Sequence, residues 1–167
     1  MEKLRKWHVV YTKPKWEKKV DLNFAQKGIE SWCPTQKKER QWSDRKKIIE
    51  EPLFKSYVFV KATKEEYNNV LSTMGVVRFL YFEKKPAIIR DNEIELIRKY
   101  LGLSYSNIQV VDLGPLKPQT KVAVNNGLFM GQRGEVVKAD KKSVYVRLDS
   151  INMMMIVEFK LEEISLL

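Results

Sequence analysis

The spacing of apolar residues changes from segment to segment along the chain, and each spacing predicts a different element. The segment WHVVYT (7–12) is rich in β-branched and aromatic residues, which predicts a strand. Over residues 14–28, Trp16, Val20 and Phe24 recur every four positions, which predicts an amphipathic helix. Two extended segments follow, SWCPTQKKERQW and RKKIIEEPLF, joined by a polar Ser-Asp pair, and together they predict a long basic hairpin.

The stretch EPLFKSYVFVKA (51–62) predicts a further strand, but it lacks one apolar face and one polar face. Because side chains alternate along a strand, one face carries Phe54, Ser56, Val58, Val60 and Ala62, and the other carries Leu53, Lys55, Tyr57, Phe59 and Lys61. The second face combines large aromatics with lysines, which is typical of a surface that binds a partner. Alternatively, the lysines extend to solvent at the strand ends while the aromatics lie beneath a loop.

The order of the remaining elements predicts the fold. Thr63 and Glu66 form a capping box before a second helical pattern, the segment VVRFLYF predicts another strand, and Asp91 precedes a third helix. The order β-α-β-hairpin-β-α-β with a trailing helix is that of a ferredoxin-like α/β sandwich. Helices cover one face of such a sheet, so Tyr57 and Phe59 are expected on an open face.

The chain is expected to contain two domains. Residues 1–102 hold the complete βα pattern. Residues 103–116 lack helical periodicity and include Gly114 and Pro115, which predicts a linker. Residues 117–167 show short strands separated by turns, and a small all-β barrel closes the edges of such strands.

Positive charge is concentrated in the first part of the chain. The net charge is +10 over 167 residues, and residues 1–60 contribute +7 of it, from 15 basic and 8 acidic side chains. A concentrated positive field favours nucleic acid as a partner, and a solvated lysine-rich surface is the alternative. No apolar run approaches the roughly 20 residues of a membrane span. The N-terminal residues lack a signal-peptide pattern, and the single cysteine fits a reducing cytoplasm.

Residue types that carry out catalysis or bind metals are sparse. His8 and Cys33 are the only histidine and cysteine, so they form neither a nucleophile–base pair with supporting spacing nor an ordinary zinc site. Asp44, Glu50 and Glu51 would suit a magnesium-dependent nuclease, but they alternate with lysines in the hairpin and are expected to balance charge. We therefore expect a protein that is not an enzyme and uses no metal or cofactor.

The segment VAVNNGLFMGQRGEVV (122–137) resembles the KOW motif, in which a strand leads into a glycine-rich turn and a second strand. The motif positions are occupied by Gly127, Phe129, Gly131, Gly134 and Val136. Closely spaced glycines allow tight turns with positive φ. The resemblance implies an SH3-like KOW barrel over residues 117–167.

The first part of the chain resembles the NGN domain of the NusG and RfaH transcription elongation factors. The resemblance rests on WHVVYTKP, EPLFKSYVFV, GVVRFLYF and PAII in this order, and the linker and KOW segment extend it over nearly the whole chain. Within the family, the chain is most similar to specialised RfaH-like paralogues, and the UpxY-like antiterminators are the expected group. The implied function is suppression of transcriptional pausing and termination.

The resemblance implies that the NGN domain binds the clamp helices of the RNA polymerase β′ subunit through an apolar concavity. The matching positions in this chain are Tyr11, Phe54, Tyr57 and Phe59. One departure lies between Phe54 and Tyr57, where the family commonly has Pro-Gly or Pro-Asn and this chain has Lys55-Ser56. Loss of the proline is expected to loosen this turn.

The resemblance also implies contact with upstream or non-template DNA through the first helix and the hairpin. The basic candidates are Lys13, Lys15, Lys18, Arg40, Arg45, Lys46 and Lys47. Trp16 and Trp42 are available for base stacking, although the spacing of Trp16 with Val20 and Phe24 favours a place in the core.

The KOW domain is expected to recruit a further factor. By resemblance, its partner is a small-subunit ribosomal protein, termination factor Rho or the NGN domain itself, and the protein is expected to be a monomer. The alternative is a ribosome-associated or general RNA-binding KOW protein. That alternative predicts a basic barrel, whereas residues 118–167 carry a net charge of only +1, from 7 basic and 6 acidic side chains.

Overall fold

A computed structural model of the chain describes residues 3–102, 107–112, 136–139 and 143–158. The chain divides into two compact units, Met1–Arg98 and Lys99–Leu167. The strands begin with β1 (Lys6–Thr12), β2 (Ser31–Trp32), β3 (Thr35–Gln41), β4 (Lys46–Pro52), β5 (Tyr57–Ala62), β6 (Val76–Phe79), β7 (Tyr81–Phe82) and β8 (Lys85–Pro86). They continue with β9 (Asn107–Asp112), β10 (Val136–Ala139), β11 (Ser143–Leu148) and β12 (Met153–Glu158). The helices are α1 (Glu17–Gln26), α2 (Tyr67–Leu71) and α3 (Asp91–Gly102), with 3₁₀ turns at Lys64–Glu66 and Asp149–Ile151.

The first unit has the predicted ferredoxin-like arrangement. Its main sheet has the strand order β2-β5-β1-β6, so the first and third main strands lie at the centre. Strand β1 pairs antiparallel with both neighbours, and Tyr11 lies opposite Tyr57 on one side and Arg78 on the other. The fold class expected from the order of the elements is confirmed, with an α/β unit followed by a small β unit.

One face of the main sheet packs against α1 and α2. The buried cluster on this face consists of Val10, Val20, Phe24, Cys33, Val58, Val60, Ala62, Val70 and Phe79. Trp16 is partly buried against this cluster, as its spacing with Val20 and Phe24 predicts. Gly75 has a φ of +93°, and a Cβ at this position would lie 2.7 Å from the Trp16 side chain. A glycine is therefore required where this turn meets α1.

The opposite face of the sheet is not open along its whole length, which corrects the expectation from the fold class. Val9 and Phe59 lie on this face and are fully buried. The Arg98 side chain of α3 lies over the Trp32 ring, 5.1 Å from its centroid, and Trp32 is opposite Phe59 in the sheet. The trailing helix thus covers the β2 end of this face, because its own apolar residues also need burial.

The predicted strand over residues 51–62 is interrupted. Strand β4 ends at Pro52, a turn occupies Leu53–Ser56, and β5 begins at Tyr57. Ser56 has a φ of +64°, and the Tyr57 amide donates to the Phe54 carbonyl across the turn at 3.2 Å. The turn resets the alternation of side chains, so the face assignments of Phe54 and Ser56 in a continuous strand are wrong.

Strands β3 and β4 form the predicted basic hairpin as a separate two-stranded sheet. Their pairing runs without a bulge from Thr35 opposite Pro52 to Gln41 opposite Lys46. The Trp42 amide donates to the Arg45 carbonyl at 2.8 Å, which extends the pairing to the two-residue loop. Most of the hairpin side chains are exposed.

The described strands of the second unit form an antiparallel sheet in the order β10-β11-β12-β9. Strand β9 lies inside residues 103–116, which the sequence pattern assigns to a linker, and it pairs with β12 from Asn107 opposite Glu158 to Asp112 opposite Met153. The middle of the expected linker is therefore part of this sheet. Of the KOW motif positions, Val136 opens β10, and Gly127, Phe129, Gly131 and Gly134 lie outside the described residues.

Candidate polymerase and nucleic-acid interface

Two tyrosines form the accessible part of the predicted polymerase-binding site. Tyr11 of β1 and Tyr57 of β5 are opposite each other in the sheet, with ring centroids 4.6 Å apart, and both are partly exposed. The Arg78 guanidinium of β6 lies over the Tyr11 ring at 4.5 Å from the centroid. A cation over one ring of a partly exposed aromatic pair provides an anchor of the kind found at protein interfaces.

The other two predicted contact residues are buried. Phe54 is 1% exposed and Phe59 is 0% exposed, and their rings meet edge to face with centroids 5.2 Å apart. The structure therefore corrects the expectation that these two phenylalanines line an open surface. Phe59 lies two residues after Tyr57 in β5 and on the same face, but both phenylalanines are buried and pack against each other.

The turn before Tyr57 is held from two sides. The Glu17 carboxylate accepts a hydrogen bond from the Ser56 amide at 2.8 Å, and the Ser56 carbonyl accepts one from the Thr12 amide at 2.9 Å. Glu17 is only 6% exposed although it lies in the first turn of α1. These contacts keep the turn closed although it lacks the proline that is common in the family.

Sequence reasoning missed Glu17 and Arg78 as components of this site. The position of Glu17 at the start of α1 resembles that of any acidic residue in a first helical turn. Its burial follows only from the approach of the Leu53–Ser56 turn. Arg78 becomes a neighbour of Tyr11 through the pairing of β1 with β6, which no local pattern indicates.

The basic candidates around α1 differ in the contacts that they make. Lys13, Lys15 and Lys18 are all exposed. The Lys18 ammonium donates to the Glu50 carbonyl at 2.5 Å, which joins α1 to the base of the hairpin. Lys13 and Lys19 approach the Trp16 ring at 5.6 and 4.9 Å from its centroid. Lys15 is therefore the candidate here with the fewest described contacts.

The hairpin candidates also divide by their partners. Arg40 forms an ion pair with Glu51, and Lys46 approaches Glu39 at 3.9 Å. Among the described residues, no carboxylate forms an ion pair with Arg45 or Lys47. Trp42, at the tip of the hairpin, is 56% exposed. The tip therefore presents an aromatic ring beside accessible positive charge.

Among the acidic residues of the hairpin, Glu39 and Glu51 lie beside basic side chains, those of Lys46 and Arg40. Glu50 accepts a hydrogen bond from the Thr35 hydroxyl at 2.6 Å, and this bond is the main cause that lowers the pKa of its carboxyl. Glu51 is paired with Arg40, and Asp44 lies in the exposed loop. In the described parts of the chain, no three histidine, cysteine or acidic side chains cluster as metal ligands would.

The architecture is that of a two-unit factor in which a ferredoxin-like α/β domain precedes a small β domain. The family model described as "Transcription termination factor nusG" matches residues 5–98, which is more than half of the chain. The chain therefore belongs to the NusG family, as the resemblance in its sequence indicates.

Individual relatives extend the similarity beyond the first unit. The Transcription termination/antitermination protein NusG of Streptococcus pyogenes serotype M1 is 29% identical over 173 residues, covering 95% of this chain and 94% of that protein. The protein of the same name from Borreliella burgdorferi is 22% identical over 153 residues, covering 81% and 83%. A solved structure titled "Domain interaction in Thermotoga maritima NusG" aligns with a TM-score of 0.46 at 21% identity, covering 93% of each chain.

As a member of this family, the chain is a transcription elongation and antitermination factor. The family consists of transcription factors and not of known enzymes. Among the helices that the structure describes, none is both long and apolar enough to cross a membrane.

Proposed function

We propose that this chain binds the clamp helices of the RNA polymerase β′ subunit through Tyr11 and Tyr57. The observation that carries the proposal is the tilted, partly exposed tyrosine pair with Arg78 over one ring. The two tyrosine rings and the Arg78 guanidinium contact one another in the free chain, so they are ordered before a partner arrives. Pre-ordered aromatic side chains lose little entropy on binding, which favours affinity.

The contact with the transcription complex extends to DNA. The exposed lysines of α1 and the basic hairpin supply positive charge for upstream or non-template DNA, as the family resemblance implies. In this arrangement, the first unit holds the polymerase clamp closed and thereby suppresses pausing and termination. The second unit recruits another factor, with a small-subunit ribosomal protein or Rho as the candidates.

The experiment that tests the polymerase contact is a binding measurement with a purified clamp-helix fragment. Tyr57→Ala is expected to weaken binding by about 2 kcal/mol, since truncation of a desolvated aromatic anchor has this effect. The matched control is Tyr81→Ala, because Tyr81 is 50% exposed on β7 and belongs to a different strand pair. Equal affinities of Tyr57→Ala, Tyr81→Ala and the unaltered chain would contradict the proposal.

A second experiment addresses the specialised RfaH-like or UpxY-like role that the sequence favours. Single-round transcription on several paused templates would be followed with the full chain and with residues 1–102. Shorter pauses on every template indicate a general elongation factor, and an effect confined to particular leader sequences indicates a specialised one. No effect on any template, together with tight ribosome binding, would favour the alternative of a ribosome-associated protein.

A further inference from the structure

A small recess lies at the end of the main sheet where β1 begins and β5 ends. Lys6 is opposite Ala62 in the pairing of these two strands, and Lys64 follows two residues after Ala62 in the adjoining 3₁₀ turn. The recess has a volume of about 240 Å³, and the residues that line it include Lys3, Lys6, His8, Thr63, Lys64 and Tyr67. The register of the strands thus brings lysines from two separate segments to one place.

The recess is separate from the tyrosine pair. Tyr11 is opposite Tyr57 five positions after Lys6 along β1, which corresponds to roughly 17 Å. Because side chains alternate along a strand, Lys6 and His8 project to the same side as Val10, which belongs to the cluster beneath α1 and α2, whereas Tyr11 projects to the other side. A ligand in the recess therefore leaves the proposed polymerase contact accessible.

Positive charge exceeds negative charge around the recess. Three lysines line it, and Glu65 is the one carboxylate among its described lining residues, so the net charge is 3 − 1 = +2 with His8 counted as neutral. Glu65 forms an ion pair with Lys3, so these two charges balance each other. Within the part of the chain that the structure describes, no carboxylate forms an ion pair with Lys6 or Lys64. Two ammonium groups are thus available to an anion.

The inner part of the recess is formed by two polar rings in fixed positions. His8 is 1% exposed, and its Nδ1 donates to the Ala87 carbonyl at 2.9 Å. The rings of His8 and Tyr67 meet edge to face with centroids 5.2 Å apart. Burial lowers the pKa of His8, and the positive charge of Lys6 lowers it further, so the Lys6 ammonium acts on the ring. An anion beside Lys6 would offset this repulsion and would also be sensed by the His8 ring.

The size and chemistry of the recess suit a single oxyanion group. Its volume is below the roughly 300–1,000 Å³ of pockets that enclose drug-sized ligands. Lysine binds phosphate as a point charge that donates charge-assisted hydrogen bonds. A larger groove of about 990 Å³ shares Leu4, Lys6 and Ile88 with the recess. An organic group attached to a bound phosphate therefore has space beside it, next to the exposed apolar side chains of Leu4 and Ile88.

We propose that this recess binds the phosphate group of a small molecule, with Lys6 and Lys64 as its cationic contacts. The ligand is either inorganic phosphate or an organic phosphate whose remaining atoms occupy the groove, and both present the same group to the lysines. The proposal is independent of the polymerase and DNA contacts, because neither lysine belongs to them.

His8 provides the reporter for the test, because it is the only histidine in the chain. Inorganic phosphate and glucose 6-phosphate would each be titrated into the ¹³C-labelled full chain at pH 7.5 and constant ionic strength, and the His8 ring resonance would be followed by NMR. We expect a saturable shift that sodium chloride does not produce. Tighter binding of glucose 6-phosphate assigns an organic phosphate as the ligand, and equal or weaker binding assigns the free ion. The absence of a saturable shift with both compounds would overturn the proposal.

Two double variants separate a specific site from a general effect of charge. Lys6→Ala with Lys64→Ala is expected to weaken phosphate binding by about 100-fold, at about 10-fold for each lost charge-assisted contact. Arginine at both positions is expected to retain binding. The matched control is Lys55→Ala with Lys99→Ala, which removes the same charge from two exposed positions that line neither the recess nor the groove. Equal weakening in the two alanine variants would contradict a specific site.

The polymerase contact is checked on the same proteins, after circular dichroism has confirmed that each variant is folded. The Lys6→Ala, Lys64→Ala variant is expected to bind the clamp-helix fragment with unchanged affinity, and Tyr57→Ala is expected to bind phosphate normally. Failure of phosphate binding with an intact Tyr57 effect would reject the recess alone. Loss of the Tyr57 effect with intact phosphate binding would support the recess and reject the polymerase contact alone.

Discussion

The Glu17 carboxylate accepts a hydrogen bond from the Ser56 amide at 2.8 Å, and this bond joins the start of α1 to the turn that precedes Tyr57. Ser56 is otherwise in an unfavourable conformation, with a φ of +64°. Since φ is negative at Lys55 and positive at Ser56, the turn has the type II pattern, for which Pro and Gly are the preferred central residues. The Pro-Gly pair that is common in the family is thus replaced here by a side-chain contact from a neighbouring helix.

We expect Ser56→Gly to stabilise the chain. The left-handed conformation costs a non-glycine residue about 1–2 kcal/mol, and the greater freedom of glycine in the unfolded state offsets part of the gain. A net increase of about 0.5–1 kcal/mol in the free energy of unfolding is expected in urea titrations. Ser43→Gly is the control, because Ser43 lies in the hairpin loop with a φ outside the left-handed region. A loss of stability in both variants would contradict the assignment of strain to Ser56.

Removal of the Glu17 carboxylate is expected to destabilise the turn. Glu17→Ala leaves the Ser56 amide without its acceptor in a largely buried position, which costs about 1–3 kcal/mol. Glu17→Gln retains an oxygen that accepts the same bond and is expected to lose less. Urea unfolding and clamp-fragment binding would be measured for both variants. Equal losses for Ala and Gln would indicate that the negative charge matters and the hydrogen bond does not.

His8 is expected to make stability depend on pH. Its Nδ1 donates to the Ala87 carbonyl at 2.9 Å, and its Nε2 lies 3.2 Å from the Tyr67 hydroxyl, which can donate to the neutral ring. Burial is the main cause that lowers the pKa of His8 below its ordinary value of 6.5. The unfolded chain therefore binds a proton first as pH falls, and the contribution to stability is complete above pH 6.5 and is lost below it.

The expected slope is at most about 1.4 kcal/mol of unfolding free energy per pH unit between pH 6.5 and 5. His8→Gln is expected to flatten this slope. The Arg5 side chain lowers the pKa of Glu66 to about 2, so Glu66 contributes stability that is lost as pH falls below 4.5. The measurement of the His8 slope therefore ends at pH 5, above the range in which Glu66 contributes. A slope that persists unchanged in His8→Gln would show that another group titrates in this range.

Cys33 is expected to react slowly with thiol reagents. The side chain is buried, and burial raises the pKa of its thiol to about 12. Since the thiolate is the reactive form, the folded chain is expected to react with an aromatic disulfide reagent at pH 8 much more slowly than the urea-unfolded chain. Stopped-flow absorbance measures both rates on the same thiol. Equal rates would show that the cluster around Val20 and Phe24 does not protect it.

We expect the second unit to need strand β9 for its stability, because β9 pairs with β12. A fragment of residues 103–167 retains β9, whereas 117–167 removes it and leaves β12 with an unpaired edge. The longer fragment is expected to give a dispersed amide spectrum and a cooperative thermal transition, and the shorter one to be less stable or to aggregate. Equal stability of the two fragments would support the prediction that residues 103–116 are a linker.

The sequence predicts those parts of the structure that depend on short-range patterns. The Thr63–Glu66 capping box is present, with the Glu66 carboxylate accepting from the Thr63 amide at 2.8 Å. The stripe of Trp16, Val20 and Phe24 and the pairing of the basic hairpin also follow the pattern. Alternation fails at Phe54, because one residue with positive φ resets the faces of a strand and Ser56 gives no local signal for it.

Long-range packing accounts for the other differences. The cover over the β2 end of the sheet comes from Arg98 of α3, which lies over Trp32 although the two residues are far apart in the chain. Polar and apolar residues alternate only weakly in strand β9, so its sequence does not predict the pairing with β12. The unequal distribution of charge over the two sides of the hairpin follows from the alternation of its side chains and the position of its two-residue loop.

Because side chains alternate along the hairpin strands, the number of residues in each strand decides the side on which the tip residue Trp42 lies. Each strand has seven residues and spans roughly 23 Å, and only the Leu53–Ser56 turn separates its base from Tyr57. Adding two residues to each strand would move Trp42 outward by about 7 Å on the same side, whereas adding one to each would turn it to the opposite side. Evolutionary changes in this hairpin that preserve a one-sided surface are therefore restricted to even steps.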